Sequence, residues 1–179
     1  NVVKELVENS IDAGATKVSV EIKDGGKTLI KITDNGKGIA LEDIPNALER
    51  HATSKINKIE DLEHTYTMGF RGEALASISS ISTMTLITKT QEAETGEEII
   101  AKAGNIIESR EVASQTGTTI IVEELFFNTP VRYKFLKQDA TEFRYIKEWL
   151  QKCAIANPNI SKFKIKKPYL PIPVLPLNA

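Results

Sequence analysis

The stretch TKVSVEIKDGGKTLIKIT, residues 16–33, leaves the chain few options. Val18, Val20 and Ile22 alternate with polar residues, the period of a strand with one apolar face. Asp24-Gly25-Gly26-Lys27 is turn chemistry, and the chain returns through Leu29, Ile30 and Ile32. An antiparallel hairpin over 16–23 and 28–33 follows, and its apolar face must be covered by another layer. The segment just before it is suited to the task. Val3, Leu6, Val7 and Ile11 fall on one side of a helix, and Gly14 is a good helix stop.

Further along, DNGKG (34–38) is a glycine-punctuated loop, and a helix is expected over 41–50 with Pro45 in an early turn. HATSKI (51–56) is polar and loop-like. TMGFRGEALASISS (67–80) has two glycines and then a helical run. MTLITKT (84–90) predicts a strand, 97–113 a hairpin of unfixed register, and Gly117-Thr118 lead into the β-branched TIIVEEL. FFNTPVRYKFL leaves that strand through Asn128 and Pro130. Phe143, Ile146, Leu150 and Cys153 stand at helical spacing in a last helix over about 141–155. Five of the seven prolines fall after residue 157, so 158–179 is expected to be an extended or irregular tail. Helix, hairpin, then strands mixed with helices predict an α+β fold with antiparallel pairs.

Composition narrows the chemistry. Residues are 41% hydrophobic and 26% charged, a globular balance, and apolar runs are far short of the roughly 20 residues that span a bilayer. No membrane association or signal peptide is expected. A single cysteine, Cys153, excludes an internal disulfide, and two histidines add little for a metal. Charge is unevenly placed: residues 131–167 hold ten Lys/Arg against three Asp/Glu, although the chain's net charge is −1. That basic segment is either a solvated face or a surface for phosphates and nucleic acid.

The Walker A pattern, G-x-S-x-G and H-E-x-x-H are all absent. Three glycine-containing or polar stretches and one helix edge remain. Glu5, Asn9 and Asp12, four and three residues apart, share a narrow arc of the first helix. An amide at Asn9 is a suitable oxygen ligand for Mg²⁺, and a carboxylate one turn away at Glu5 can orient or deprotonate a water. Asp34 ends a strand beside flexible backbone, where a carboxylate can accept from an amino group such as adenine's. Gly69-Phe70-Arg71-Gly72 before a helix offers phosphate-facing N–H groups, with Arg71 adding charge. Each feature alone also reads as ordinary structure: a solvated helix edge, an Asx turn, a connecting loop.

In conjunction they carry a family resemblance. KELVENSIDAGA, DNGKGI, HATSKI, GFRGEALASIS and LFFNTPVRYKFL resemble the N-terminal ATPase region of the MutL DNA mismatch repair proteins, within the wider GHKL ATPases. The resemblance covers about residues 1–155. It implies a two-layer α/β sandwich of the Bergerat type, with a mixed, mostly antiparallel sheet and helices on one face. It implies ATP and Mg²⁺ as ligands. Glu5 matches the general base and Asn9 the Mg²⁺ ligand. Asp34 matches the carboxylate that recognises adenine, with Gly36 and Gly38 shaping its pocket. Thr53, Ser54 and Lys55 match a segment near the nucleotide. Gly69, Phe70, Arg71 and Gly72 match the lid, running into Ala74 and Leu75, and Thr118 matches a hydroxyl at the adenine site. Asp12 receives no role.

The resemblance also implies that residues 1–157 are an ATPase domain lacking its N-terminal segment. Residues 158–179 would be a proline-rich tail or the start of a linker to a second domain. Partners expected of the intact protein are DNA, weakly and without sequence preference, through 131–167, a MutS-type mismatch recognition protein, and a second copy. The setting is bacterial cytoplasm, or the nucleus in a eukaryote. The function expected is a nucleotide-driven switch. The alternatives are a nucleotide-binding or DNA-binding module without turnover. A histidine kinase lacks a visible phosphoacceptor helix here, and a type II topoisomerase is not expected to carry GFRGEAL followed by FFNTPVRYKFL.

Overall fold

A computed structural model of the chain describes residues 2–49 and 73–166. Helix α1 spans Val2–Asp12 and buries Val3, Leu6, Val7 and Ser10. It ends in a Schellman geometry, with Gly14 at φ 74° donating to Ile11 O and Ala15 donating to Ser10 O. The expected hairpin follows: β1 (Lys17–Lys23) pairs antiparallel with β2 (Leu29–Asp34) around a 3₁₀ turn at Asp24–Gly26. The helix foreseen over 41–50 is shorter, a 3₁₀ turn at Leu41–Asp43 and then α2 (Ile44–Leu48), with Pro45 in its first turn.

After the described chain resumes come α3 (Ala74–Ser79), β3 (Thr83–Lys89), β4 (Gly96–Lys102), β5 (Asn105–Val112) and β6 (Gly117–Glu123). A short helix α4 (Pro130–Lys134), the long α5 (Asp139–Ala156) and β7 (Lys162–Lys166) complete it. The seven strands form one sheet in the order β5-β4-β3-β6-β2-β1-β7. All neighbours are antiparallel except β1 and β7. The unfixed register over 97–113 has a cause, a β-bulge between Ile100 and Ala101 that breaks the two-residue period.

The sheet is one-sided. Val20, Ile32, Ile120, Leu86 and Ile99 lie in one row across five strands. Ile22, Ile30, Val122, Met84 and Ala101 form the next. All ten are buried, under helix residues that include Leu6, Val7, Ile44, Leu75, Ile78, Leu150 and Cys153. Each such side chain contributes about 1.5–3 kcal/mol through burial. The opposite face carries half-exposed Ser19, Lys31, Thr33, Thr85 and Thr119. This is the two-layer, mostly antiparallel sandwich expected from the sequence.

Helix α5 packs on α1 and on the 24–26 turn. Lys27 Nζ lies 2.7 Å from Asp139 Oδ1, and that hydrogen bond raises the Lys27 pKa. Burial pushes the Cys153 thiol up, helped by the charge of Glu8. One expectation needs correcting. Residues 158–179 read as a tail, yet Lys162–Lys166 lie in the sheet as an edge strand parallel to β1. Phe163 and Ile165 pack against the core, so K-F-K-I-K is a strand alternation that the surrounding prolines obscured.

Candidate functional site

One row beyond the apolar rows, the same inner face turns polar. Asp34 of β2 pairs with Thr118 of β6, and Thr118 with Thr88 of β3. The pleat points all three toward the helix layer, in line with Ile32, Ile120 and Leu86. Helix α1 lies over β2 and supplies a fourth polar group there, Ser10.

The Asp34 carboxylate is held at both oxygens. Ser10 donates its hydroxyl to Oδ2 at 2.7 Å, and the Gly36 N–H donates to Oδ1 at 2.8 Å. Ser10 also lies 3.2 Å from Leu6 O. A hydroxyl has one proton, and the shorter contact to the charged acceptor takes it. An ionised carboxylate has about four acceptor positions, so capacity remains for an N–H donor from a ligand. Thr118 Oγ1 lies 3.0 Å from Thr88 Oγ1, which accepts the Ile39 N–H at 2.8 Å. Asn35 is engaged structurally: its Oδ1 accepts from Thr16 N and Lys17 N, and its Nδ2 donates to Thr16 Oγ1.

Gly36, Gly38 and Gly117 permit close contacts around Asp34. A Cβ at Gly38 would stand 2.2 Å from Lys89 O, and one at Gly117 2.1 Å from Asp34 O. One at Gly36 would meet Ala13 Cβ at 2.8 Å. These positions let backbones approach each other and so press the 34–38 loop onto α1 and β3. Glu5 and Asn9 are half-buried on α1, one turn apart on one edge, and Asp12 is exposed further along. Ala74 starts α3, while Leu75 is a core residue, 7% exposed. Thr53, Ser54, Lys55, Gly69, Phe70, Arg71 and Gly72 lie outside the described residues.

One hollow stands apart from this row and another borders it. FFNTPVRYKFL begins beyond the far end of β6, where Glu123 pairs with Leu29, five residues or about 17 Å along the strand from Asp34. Phe126, Phe127, Pro130, Tyr133 and Lys134 line a hollow of about 620 Å³ there. A second hollow of about 370 Å³, lined by Ser19, Thr33, Thr119, Lys162 and Lys164 on the open face of the sheet, is bordered also by Asp34 and Thr118. In the basic segment Arg132, Lys134, Lys137, Arg144, Lys147 and Lys152 are all exposed. Lys137 nonetheless donates to Tyr145 Oη at 3.3 Å, lowering that phenol's pKa.

Asp34, Thr118, Glu5 and Asn9 are candidates already in the sequence; Ser10 and Thr88 are not. Ser10 sits inside the helix pattern with no local sign of its burial. Thr88 looks like one more β-branched strand residue.

Comparison with known proteins agrees with this fold. Residues 1–126 match the family model described as histidine kinase-, DNA gyrase B- and HSP90-like ATPase. The chain is 51% identical over 160 residues to a DNA mismatch repair protein MutL of Xanthomonas campestris pv. campestris, covering 89% of the chain and 26% of that protein. It is 48% identical over 179 residues to MutL of Neisseria meningitidis, covering all of the chain and 27% of the relative. The chain thus spans about a quarter of the length of these relatives. The Aquifex aeolicus MutL ATPase domain complexed with ADP superposes with TM-score 0.72 at 40% identity, over 93% of this chain and 58% of that one. The N-terminal domain of a DNA repair protein gives 0.77 at 34% identity, over 93% and 48%.

Proposed function

The chain belongs to the histidine kinase-, DNA gyrase B- and HSP90-like ATPase family, with MutL relatives over its whole length, and from that premise we propose that it binds and hydrolyses ATP as the nucleotide-driven switch of a DNA mismatch repair protein. The observation that carries this reading is the Asp34–Thr118 pair, set at the polar end of an apolar sheet face and under α1. An acceptor-rich carboxylate there suits the exocyclic amino group of adenine. The relative whose structure holds ADP supports nucleotide as the ligand.

The α1 edge is suited to the phosphate end. Asn9 is half-buried, and an amide oxygen is a hard ligand of the kind Mg²⁺ takes alongside water and phosphate. Asn9 would hold that ion, which when bound neutralises charge on the phosphates. Glu5, one turn away, accepts the proton of the attacking water. Gly36 and Gly38 act indirectly, by seating the loop that carries Asp34. Thr53, Ser54, Lys55, Gly69, Phe70, Arg71, Gly72 and Ala74 are proposed as further nucleotide-binding residues.

Switching, rather than turnover of a metabolite, is the use of such a site: nucleotide state sets which partners are held. DNA, a MutS-type protein and a second copy are the partners proposed for a protein of its relatives' full length, and the bacterial cytoplasm is its proposed setting. The exposed basic residues from Arg132 to Lys152 support DNA contact. That contact should weaken steeply with salt, and charge reversal at Arg132, Lys134 and Lys137 should reduce it. Hydrolysis is tested by Glu5→Ala: phosphate release should fall below about 1% of the parent rate while ATP affinity is kept. Release at the parent rate removes the general-base assignment.

A further inference from the structure

We propose that Ser10 is a positioning residue for adenine recognition: its hydroxyl sets the angle at which the Asp34 carboxylate meets the base's exocyclic amino group. This rests on the reading of Asp34 as the adenine acceptor. Four polar side chains are buried among the described residues: Ser10, Ser79, Ser82 and Thr88. Ser79 and Ser82 donate only to nearby helix carbonyls, Ala76 O and Ile78 O. Ser10, 3% exposed, has its own helix carbonyl at Leu6 O, 3.2 Å away, but makes its shorter contact across 24 positions of chain to an ionisable group on another element. Serine is a poorer helix former than alanine at an interior position, so local helix stability does not account for it.

The geometry gives the contact a specific effect. A carboxylate turns freely about its last bond unless both oxygens are held. Gly36 N–H fixes Oδ1 from the loop side, and Ser10 fixes Oδ2 from the helix side. Together they set the plane of the group and so the direction of its remaining acceptor positions. A pre-set acceptor avoids the ordering cost that a freely turning one incurs on binding. Because Ser10 follows Asn9 on α1, the same rigid helix that presents the phosphate-end groups also orients the base-reading one.

Titration calorimetry on the full chain with Mg²⁺ distinguishes this role from a merely structural one. Two ligands are compared, ATP and the purine riboside triphosphate that lacks the 6-amino group. Ser10→Ala should weaken ATP about tenfold and leave the desamino analogue within about twofold, so the preference for ATP shrinks. Asp34→Asn should shrink it likewise. If Asp34→Asn removes the preference while Ser10→Ala keeps the parent's value, Ser10 has no positioning role and only this inference fails. A parent chain without preference for ATP over the analogue overturns the adenine reading and this inference together. Ser10→Cys, which keeps the branching with a slightly larger atom but offers only a weak donor, should follow alanine, and carries the test if alanine perturbs folding.

Discussion

Two stretches of the same sheet face differ by one pleat and do opposite work. The row Val20–Ile32–Ile120–Leu86–Ile99 is wholly apolar and lies under the helices. The next row along the same three central strands is Asp34–Thr118–Thr88, held by hydroxyls and a backbone amide. No change of fold separates them, only the residue two positions on. In the proposed function, stability and ligand chemistry are therefore adjacent but separable. The apolar row fixes where the strands stand, and the polar row uses that fixed frame to aim a carboxylate.

Substitutions in the two rows should give opposite signatures. Leu86→Ala removes a side chain with no exposed surface and should cost about 2–5 kcal/mol in urea unfolding. The folded fraction should still prefer ATP over its desamino analogue. Thr88→Val keeps shape but strips the acceptor from the Ile39 N–H and the neighbour from Thr118. A loss of about 1–3 kcal/mol is expected, now with weaker nucleotide binding. If Thr88→Val changes stability alone, the polar row divides into a ligand part and a packing part. Cys153 samples the opposite, fully structural side of the helix layer. Its thiol pKa is raised, first by burial and then by Glu8, so less thiolate is present at a given pH than in a free cysteine. At pH 8 its reaction with a disulfide reagent should be slower than in the unfolded chain by more than about tenfold, and unaffected by nucleotide.

The two rows were not equally legible in the sequence. Val18, Val20 and Ile22 against Ile30 and Ile32 announce the hairpin, because one-sided burial imposes a strict period of two. Asp34 and Thr118 were visible as strand-end residues beside glycines, and Glu5 and Asn9 as one helix edge. That Asp34 and Thr118 are direct partners was not visible, because 84 residues separate them and strand order is a property of the whole sheet. Ser10 was hidden for the same reason, since its partner lies on another element. The 97–113 register was lost to a bulge. The strand Lys162–Lys166 was masked by prolines around it, although Phe163 and Ile165 alternate correctly. That Gly38 and Gly117 sit where backbones nearly touch was also not visible, because the strands that meet there are distant in the chain.

The central claim is that the polar row reads adenine, and the direct measurement is calorimetric titration of Mg-ATP into this chain and its Asp34→Asn variant. The parent should bind. The variant should bind at least about tenfold more weakly, with a thermal midpoint within a few degrees of the parent's. Equal affinities in the two proteins would contradict the assignment of Asp34 and, with it, the adenine reading of the site.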